Sequence, residues 1–260
     1  MRIYSELQDR VVLVTGGTQG IGEAMADAYA KQQCRLAING RVLNEKVRKV
    51  ADRTGALPVM GDLGEPGVGR RIVDETIARF GGIDVLVCNA ALQHSEFFLK
   101  HDRTMWQKHI DINVRGHFEC LQAALPHMVK QKRGAIVIIS SYFGTLGWEK
   151  NSGYGASKTG VLTMGQYISR QFKDDGITVG IIVPGVIKTP QLQADADSLG
   201  LTYEEACDYY AEMLPIKRLG KSADIATMAV FMSTSEGGRA FNGRHLQISG
   251  GDSRVTPYYI

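Results

Sequence analysis

Cysteine is scarce in this 260-residue chain. The four present, Cys34, Cys88, Cys120 and Cys207, are widely scattered. No two have the spacing of a zinc ligand pair or a redox motif, so a metal ribbon, a dithiol site and a disulfide framework are excluded, and no metal is expected. Cys34 and Cys88 lie in apolar runs and read as core thiols, a usage that fits a reducing cytosol. Proline is also sparse, at seven against thirty glycines. That balance leaves no room for a long disordered or repetitive segment. No apolar run approaches the roughly 18 residues of a membrane span, and the opening MRIYSELQDR lacks the apolar core of an export signal. A cytoplasmic protein without a membrane partner is expected. The formal charge is only +3. The locally basic RVLNEKVRK at 41–49 reads equally well as a solvated helix, so no nucleic-acid stripe is expected.

What the chain does have is alternation. Apolar content of 44% and charged content of 22% are ordinary for a soluble globular protein. Short β-branched runs at 11–15, 35–39, 56–60, 83–87, 135–140, 177–183 and 244–249 are separated by stretches of helical period at about 41–53, 67–80, 103–130, 154–172 and 223–233. Strand-then-helix repetition predicts an α/β fold of the Rossmann type. The expected form is a doubly wound, seven-stranded, mostly parallel sheet with helices on both faces. No composition break divides the chain, so 1–260 is expected to form a single dinucleotide-binding catalytic domain. Residues 191–214 are acidic, helical in pattern and longer than an ordinary loop. They are expected to form a substrate lid.

The first run ends in Gly16-Gly17-Thr18-Gln19-Gly20-Ile21-Gly22, followed by helical period. A strand, a glycine turn and a helix is the context in which such a loop binds a pyrophosphate. Gly16 permits the tight turn, Gly20 lets the phosphate approach the backbone, and Gly22 lets helix and strand pack closely. The helix N-terminus adds N–H donors and a favourable dipole.

The second run ends at Gly40-Arg41. An acid at that strand tip would accept from the adenosine ribose and repel a 2′-phosphate. Here the tip carries no anion and a cation follows. This favours NADP(H) and leaves NAD(H) possible; the alternative makes Arg41 merely the first solvated residue of the next helix. Asp62 and Leu63 follow the third strand, placed either for adenine or, in the case of Asp62, for a helix cap. Asn89 follows the fourth, Ser141 the fifth, and Pro184-Gly185 the sixth. Ligands of such sheets bind beyond the carboxyl ends of the strands.

The interval 141–158 reads SYFGTLGWEKNSGYGASK. On a helix, Tyr154 and Lys158 share a face. An ammonium beside a phenol favours the phenolate, so the tyrosine pKa is expected to fall from about 10 toward a usable range. A tyrosine tuned that way exchanges a proton with an alcohol or carbonyl. Ser141 can bond the same oxygen. Taken alone, the pair is a weak signal and reads first as a solvated helix face.

In order, Thr15-Gly16-x-x-x-Gly20-Ile21-Gly22, Asn89-Ala90, Asn113, Ser141, Tyr154-x-x-x-Lys158 and Pro184-Gly185-x-x-x-Thr189 resemble the short-chain dehydrogenase/reductase family, 3-oxoacyl reductases among them, over essentially the whole chain. The resemblance implies catalytic roles for Asn113, Ser141, Tyr154 and Lys158. Tyr154 would be the acid–base and Ser141 would orient the substrate oxygen. Lys158 would depress the tyrosine pKa and bind the nicotinamide ribose, and Asn113 would hold a water that connects Lys158 to solvent. The cofactor would be held by Thr15, Gly16, Gly20, Ile21, Gly22, Arg41, Asp62, Leu63, Asn89, Tyr154, Lys158, Pro184, Gly185, Ile187 and Thr189. A homotetramer or homodimer is implied, which suits the small-residue helix after Tyr154 and the apolar tail at 253–260.

Two departures stand out. The usual Asn-Asn-Ala-Gly reads Cys88-Asn89-Ala90-Ala91, which adds a methyl near the cofactor. Gln93-His94 resembles the Gln-His of 3-hydroxybutyrate dehydrogenases, but Phe143 and Asn151 stand where those enzymes carry a histidine and a lysine. Hydroxybutyrate is therefore not assigned. Gln93, His94, Ser141, Phe143, Trp148 and Tyr154 are the candidate substrate residues. His94 reads either as a pocket or as a loop residue, and the two aromatics either as pocket wall or as packing beneath the lid. The expected function is interconversion of a small-molecule secondary alcohol and a ketone with NADP(H). The alternatives are an NAD-dependent sugar, polyol or hydroxy-acid dehydrogenase, and a non-catalytic nucleotide-binding protein.

Overall fold

In the computed structural model, residues 2–252 are described; the apolar tail named above lies outside them. Seven strands form one sheet, all pairs parallel: β1 (Val11–Val14), β2 (Arg35–Gly40), β3 (Leu57–Met60), β4 (Val85–Cys88), β5 (Gly134–Ile139), β6 (Ile177–Pro184) and, last in the chain, β9 (His245–Ile248). Their order across the sheet is β3-β2-β1-β4-β5-β6-β9. The order reverses between β1 and β4, which opens a crevice at that point. The expected fold class is the one observed. A two-stranded pair, β7 (Ile187–Lys188) with β8 (Gly220–Lys221), was not expected.

The strands read as continuous apolar runs because both faces are covered. Side chains alternate across the sheet. Val12, Val14, Ile38, Val87, Val137 and Ile182 pack beneath α1 (Gly20–Lys31), α2 (Glu45–Thr54) and α9 (Ser222–Met232). Leu13, Ala37, Leu86, Ile136, Ile138 and Ile181 pack beneath α3 (Val68–Phe80), α5 (Gly116–Lys130) and α6 (Ser152–Gln171). Tyr29 of α1 is fully buried, its hydroxyl bonded to Ser233 Oγ at 2.7 Å beyond the end of α9.

Three boundaries differ from the sequence reading, each for a local reason. The helix expected at 41–53 begins at Glu45, because the Asn44 side chain accepts from the Val47 N–H and caps it there. Arg41 therefore stands in the preceding loop rather than on the helix. The helix expected at 103–130 is interrupted. After α4 (Arg103–His109), a π turn at Ile110–Arg115 leads into α5. The segment 191–214 is two helices, α7 (Leu192–Leu199) and α8 (Tyr203–Met213), split by Gly200 in the left-handed region and by a Thr202–Glu205 capping box. A short α10 (Ser235–Ala240) follows α9. No helix among the described residues is long and apolar enough to cross a membrane.

On the outside of α5 and α6 lies an apolar groove lined by Phe118, Leu121, Leu125, Met164 and Tyr167. Phe118 is 49% exposed and Tyr167 69%.

Candidate active site

The crevice at the carboxyl ends of the strands opens into a cleft of about 1180 Å³ that runs from the glycine loop to α7 and α8. At its base, β1 and β4 are locked together. Thr15 Oγ1 donates to the Val87 carbonyl at 3.0 Å and accepts the N–H groups of Asn89 and Ala90 at 2.9 and 3.1 Å. Asn89 Nδ2 returns the contact, donating to the carbonyls of Thr15 and Gly16.

Gly16 and Gly20 have φ of +63° and +55°, a region that disfavours side chains. A Cβ at Gly22 would lie 2.0 Å from the Gly16 carbonyl oxygen. The loop thus brings bare backbone and the start of α1 to the cleft, the arrangement that accepts a pyrophosphate. A dinucleotide fits the cradle these residues form.

Most of the expected cofactor residues line this cleft: Gly16, Gly20, Ile21, Gly22, Arg41, Asp62, Leu63, Asn89, Tyr154, Lys158, Pro184, Gly185, Ile187 and Thr189. Thr15 does not. It is fully buried behind the wall, where its hydroxyl braces the two strands. At the tip of β2, a Cβ on Gly40 would meet Thr18 Cγ2 at 2.9 Å, so the geometry disfavours an acid there. The amide of the preceding Asn39 is taken up by the carbonyls of Gly40, Val59 and Gly61. Arg41 and Lys46 flank that corner of the cleft. Lys46 was passed over in the sequence reading because nothing distinguishes it from its solvated neighbours. Ala91, in place of the usual glycine, lines the cleft without positive φ, so its methyl adds no backbone strain.

Ser141, Tyr154 and Lys158 meet at the centre. Ser141 follows β5, and Tyr154 and Lys158 lie one turn apart in α6. The Ser141 side chain lies close enough to the Tyr154 phenol to lower its pKa, and its hydroxyl accepts the Phe143 N–H at 3.2 Å. Lys158 Nζ lies 5.6 Å from the Tyr154 ring centroid and donates to the Ile139 carbonyl at 2.9 Å. All three side chains are buried.

Burial dominates their acid–base behaviour. The Tyr154 phenol is pushed up to about 12, mainly by desolvation; Ser141 lowers it and the charge of Asp195 raises it. Desolvation brings the Lys158 ammonium down to about 8. The expected fall in the tyrosine pKa is therefore not found in this structure. Removal of the phenolate from water dominates and outweighs the lowering by Ser141.

Asn113 does not line the cleft. It is buried within the π turn, where its amide nitrogen donates to Leu92 O and Ser157 Oγ, both at 2.9 Å, and its oxygen accepts the Leu92 N–H at 2.8 Å. It pins the segment after β4 to α6. His117, one turn on, is fully buried near Lys158 and is pushed down to about 3 by burial and then by that lysine, so it is neutral.

On the substrate side, Gln93, Ser141, Phe143, Trp148 and Tyr154 line the cleft and His94 does not. His94 is solvent-exposed, with its ring against His101. Its backbone N–H donates to His109 Nε2, and His109 packs on Tyr154. Phe143 lies between Tyr142, Trp148 and Tyr154, so these aromatics form a wall. Asn151 accepts from Ser95 Oγ at 2.9 Å. The Gln191 amide nitrogen donates to Gln93 Oε1, joining the start of α7 to the segment after β4. Gln191, Asp195, Tyr210 and Met213, all within the segment expected to form the lid, also line the cleft, and nothing in the sequence singles them out from their neighbours.

The buried ammonium has a consequence for stability. The unfolded chain holds the Lys158 proton up to its ordinary pKa near 10.5, and the folded chain only to about 8. Below that window burial opposes folding by the full shift, on the order of 3 kcal/mol. Stability from this group rises with pH across the window, because the unfolded state then binds more protons. Lys158→Met is expected to raise the melting temperature by several degrees at pH 7, with a gain that shrinks between pH 8 and 10. Calorimetry across that range checks it; a gain independent of pH, or a loss at pH 7, contradicts it.

The short chain dehydrogenase family matches residues 10–199. A 3-oxoacyl-[acyl-carrier-protein] reductase of Staphylococcus epidermidis is 28% identical over 248 residues, covering 94% of this chain and 98% of that protein. Levodione reductase superposes with a TM-score of 0.90 at 28% identity, over 98% of this chain and 100% of that one. L-Sorbose reductase from Gluconobacter frateurii, solved with NADPH and L-sorbose, has a TM-score of 0.87 at 25% identity, over 94% and 97%. With a glycine cradle at the crevice and a buried Ser-Tyr-Lys set beside it, the chain belongs to the short chain dehydrogenase family and is an oxidoreductase acting on CH–OH groups with NAD(P).

Proposed function

We propose that the protein interconverts a secondary alcohol and a ketone with NADP(H), Tyr154 serving as general acid–base. The observation that carries this reading is the meeting of Ser141, Tyr154 and Lys158 at the end of the glycine-lined cleft. Bound NADPH supplies the hydride. The Ser141 hydroxyl orients the ketone oxygen, and Tyr154 gives that oxygen its proton as the carbon is reduced. A phenol held protonated at neutral pH suits this reductive direction. Lys158 holds the nicotinamide ribose and favours the tyrosinate left behind. Asn113 positions the segment after β4, and α7 and α8 act as the substrate lid. Tyr154→Phe is expected to lower kcat with NADPH and a ketone panel by about a thousandfold or more while leaving NADPH affinity within about threefold. Retained turnover contradicts the assignment.

The choice of NADP(H) rests on the strand tip, where Gly40 carries no acid and a Cβ would crowd Thr18 Cγ2, and where Arg41 with Lys46 flanks the ribose corner. Arg41→Ala is expected to weaken NADPH about tenfold or more and NADH far less, by titration of intrinsic cofactor fluorescence. Equal losses sink this preference. Four cysteines without a disulfide suit a reducing, cytoplasmic setting.

The exposed groove on α5 and α6 is apolar and carries the small residues Ala156 and Gly160, which suits the same face of a second copy. The expected assembly is a homodimer or homotetramer. Sedimentation velocity of the wild type should give an oligomer that Tyr167→Glu reduces in size; an oligomer unaffected by that change argues against this face.

A further inference from the structure

The segment after β4 is tethered at Leu92, His94, Ser95 and Glu96. Asn113 takes both backbone groups of Leu92. His109 Nε2 accepts the His94 N–H at 3.1 Å. Ser95 Oγ donates to Asn151 at 2.9 Å, and the Glu96 N–H donates to the Lys150 carbonyl at 2.7 Å. Gln93 lies between the first two tethers. With Leu92 and His94 held from behind, its side chain enters the cleft and meets Gln191 at the start of α7.

His109 differs from the other anchors. Asn113 and Asn151 do not titrate, and Lys150 acts through its carbonyl, whereas an imidazole changes charge near neutral pH. Its bonds fix its form. An amide N–H only donates, so Nε2 carries no proton. The ring proton is therefore on Nδ1, which donates to the Met105 carbonyl at 2.9 Å. The ring is fully buried and lies edge-on to Tyr154, with centroids 6.4 Å apart. A Cβ on Gly153, the residue before Tyr154, would lie 3.0 Å from Nδ1, so the ring is closely confined. A proton gained on Nε2 would set two donors face to face.

The titratable groups around it come from two sides. The His101 ring lies 5.8 Å away, with the His94 ring 5.8 Å beyond that one, and the Tyr154 phenol faces it from α6. Burial, and then the two imidazoles, push His109 below its ordinary 6.5, although its bond to Met105 acts the other way.

We infer that His109 is a positioning residue for the substrate cleft: as a neutral imidazole it pins the His94 amide and so aims Gln93 at the substrate, and on gaining a proton it releases that segment. Substrate binding then weakens in mild acid while Tyr154 remains a phenol. The kinetic consequence rests on the alcohol–ketone reading above; the pinning does not, and the two are tested separately.

Labelling with 15N-histidine reports six residues through their amides and rings. At about pH 7.5 the His109 ring is expected in the Nδ1–H form. The His94 amide is expected to shift in step with the titration of the His109 ring, at a midpoint below 6.5. A ring in the Nε2–H form, or an amide indifferent to it, overturns the inference whatever the turnover. Kinetics then use the ketone of the panel that the wild type reduces fastest with NADPH. Between about pH 7.5 and 5 its KM is expected to rise about fivefold or more, with kcat within about threefold. His109→Gln keeps an acceptor that does not titrate, and should hold KM nearly level across that range. His109→Phe keeps the packing on Tyr154 without the acceptor, and should show the raised KM at every pH. His94→Gln removes a neighbouring ring but leaves the amide, and should keep the acid rise. A rise that survives both His109 substitutions, or variants that lose kcat rather than KM, overturn the inference. Absence of turnover with every ketone overturns the reaction reading instead, and the amide titration then decides the pinning.

Discussion

The site depends on one constraint, the exclusion of water from three hydrogen-bonding groups that water would otherwise solvate. Ser141, Tyr154 and Lys158 are all buried, and α6 is anchored around them by the bonds of Ser140 Oγ to the Lys158 carbonyl and of Lys158 Nζ to Ile139. Their proximity is therefore set by backbone and sheet rather than by mutual attraction. The same desolvation moves the phenol and the ammonium away from their charged forms. Stability opposes this arrangement; the proposed reaction, with a proton donor beside a carbonyl, requires it.

The rest of the architecture serves that point. Parallel strands covered on both faces bring every carboxyl end to one edge, and the reversal between β1 and β4 opens the crevice there. Thr15 and Asn89 clamp that opening, and Asn113 ties the next segment to α6 through Leu92 and Ser157. Thr15 and Asn113 work behind the walls, whereas Asn89 both braces the wall and lines the cleft. Residues that a sequence pattern marks as functional thus divide into those that face the ligand and those that fix the frame.

That division marks how far the sequence is legible. Strand identity, sheet class and the Ser-Tyr-Lys set are legible because they are local: apolar runs, glycine turns and a four-residue spacing carry them. The sign of the tyrosine shift is not, because it turns on how completely the surrounding helices remove water. The interruption before Gly116 is invisible to a periodicity that a π turn barely disturbs. Asp195 hides in an acidic segment where its neighbours are solvated, and only the phase of a short helix, itself bounded by Gly200, turns it inward. His94 misleads for the opposite reason, since its backbone is held by His109 while its ring lies outside the cleft.

The bond between Gln93 and Gln191 joins the start of α7 to the segment after β4. It closes one side of the cleft with a neutral amide pair that water can replace on either partner at little enthalpic loss. An ion pair there would hold α7 shut more firmly and respond to salt. On the proposed lid role, a neutral clasp would let the helix lift and settle with each turnover, and the dwell time of the product would then be set by how well it fits beneath α7 rather than by the strength of the clasp.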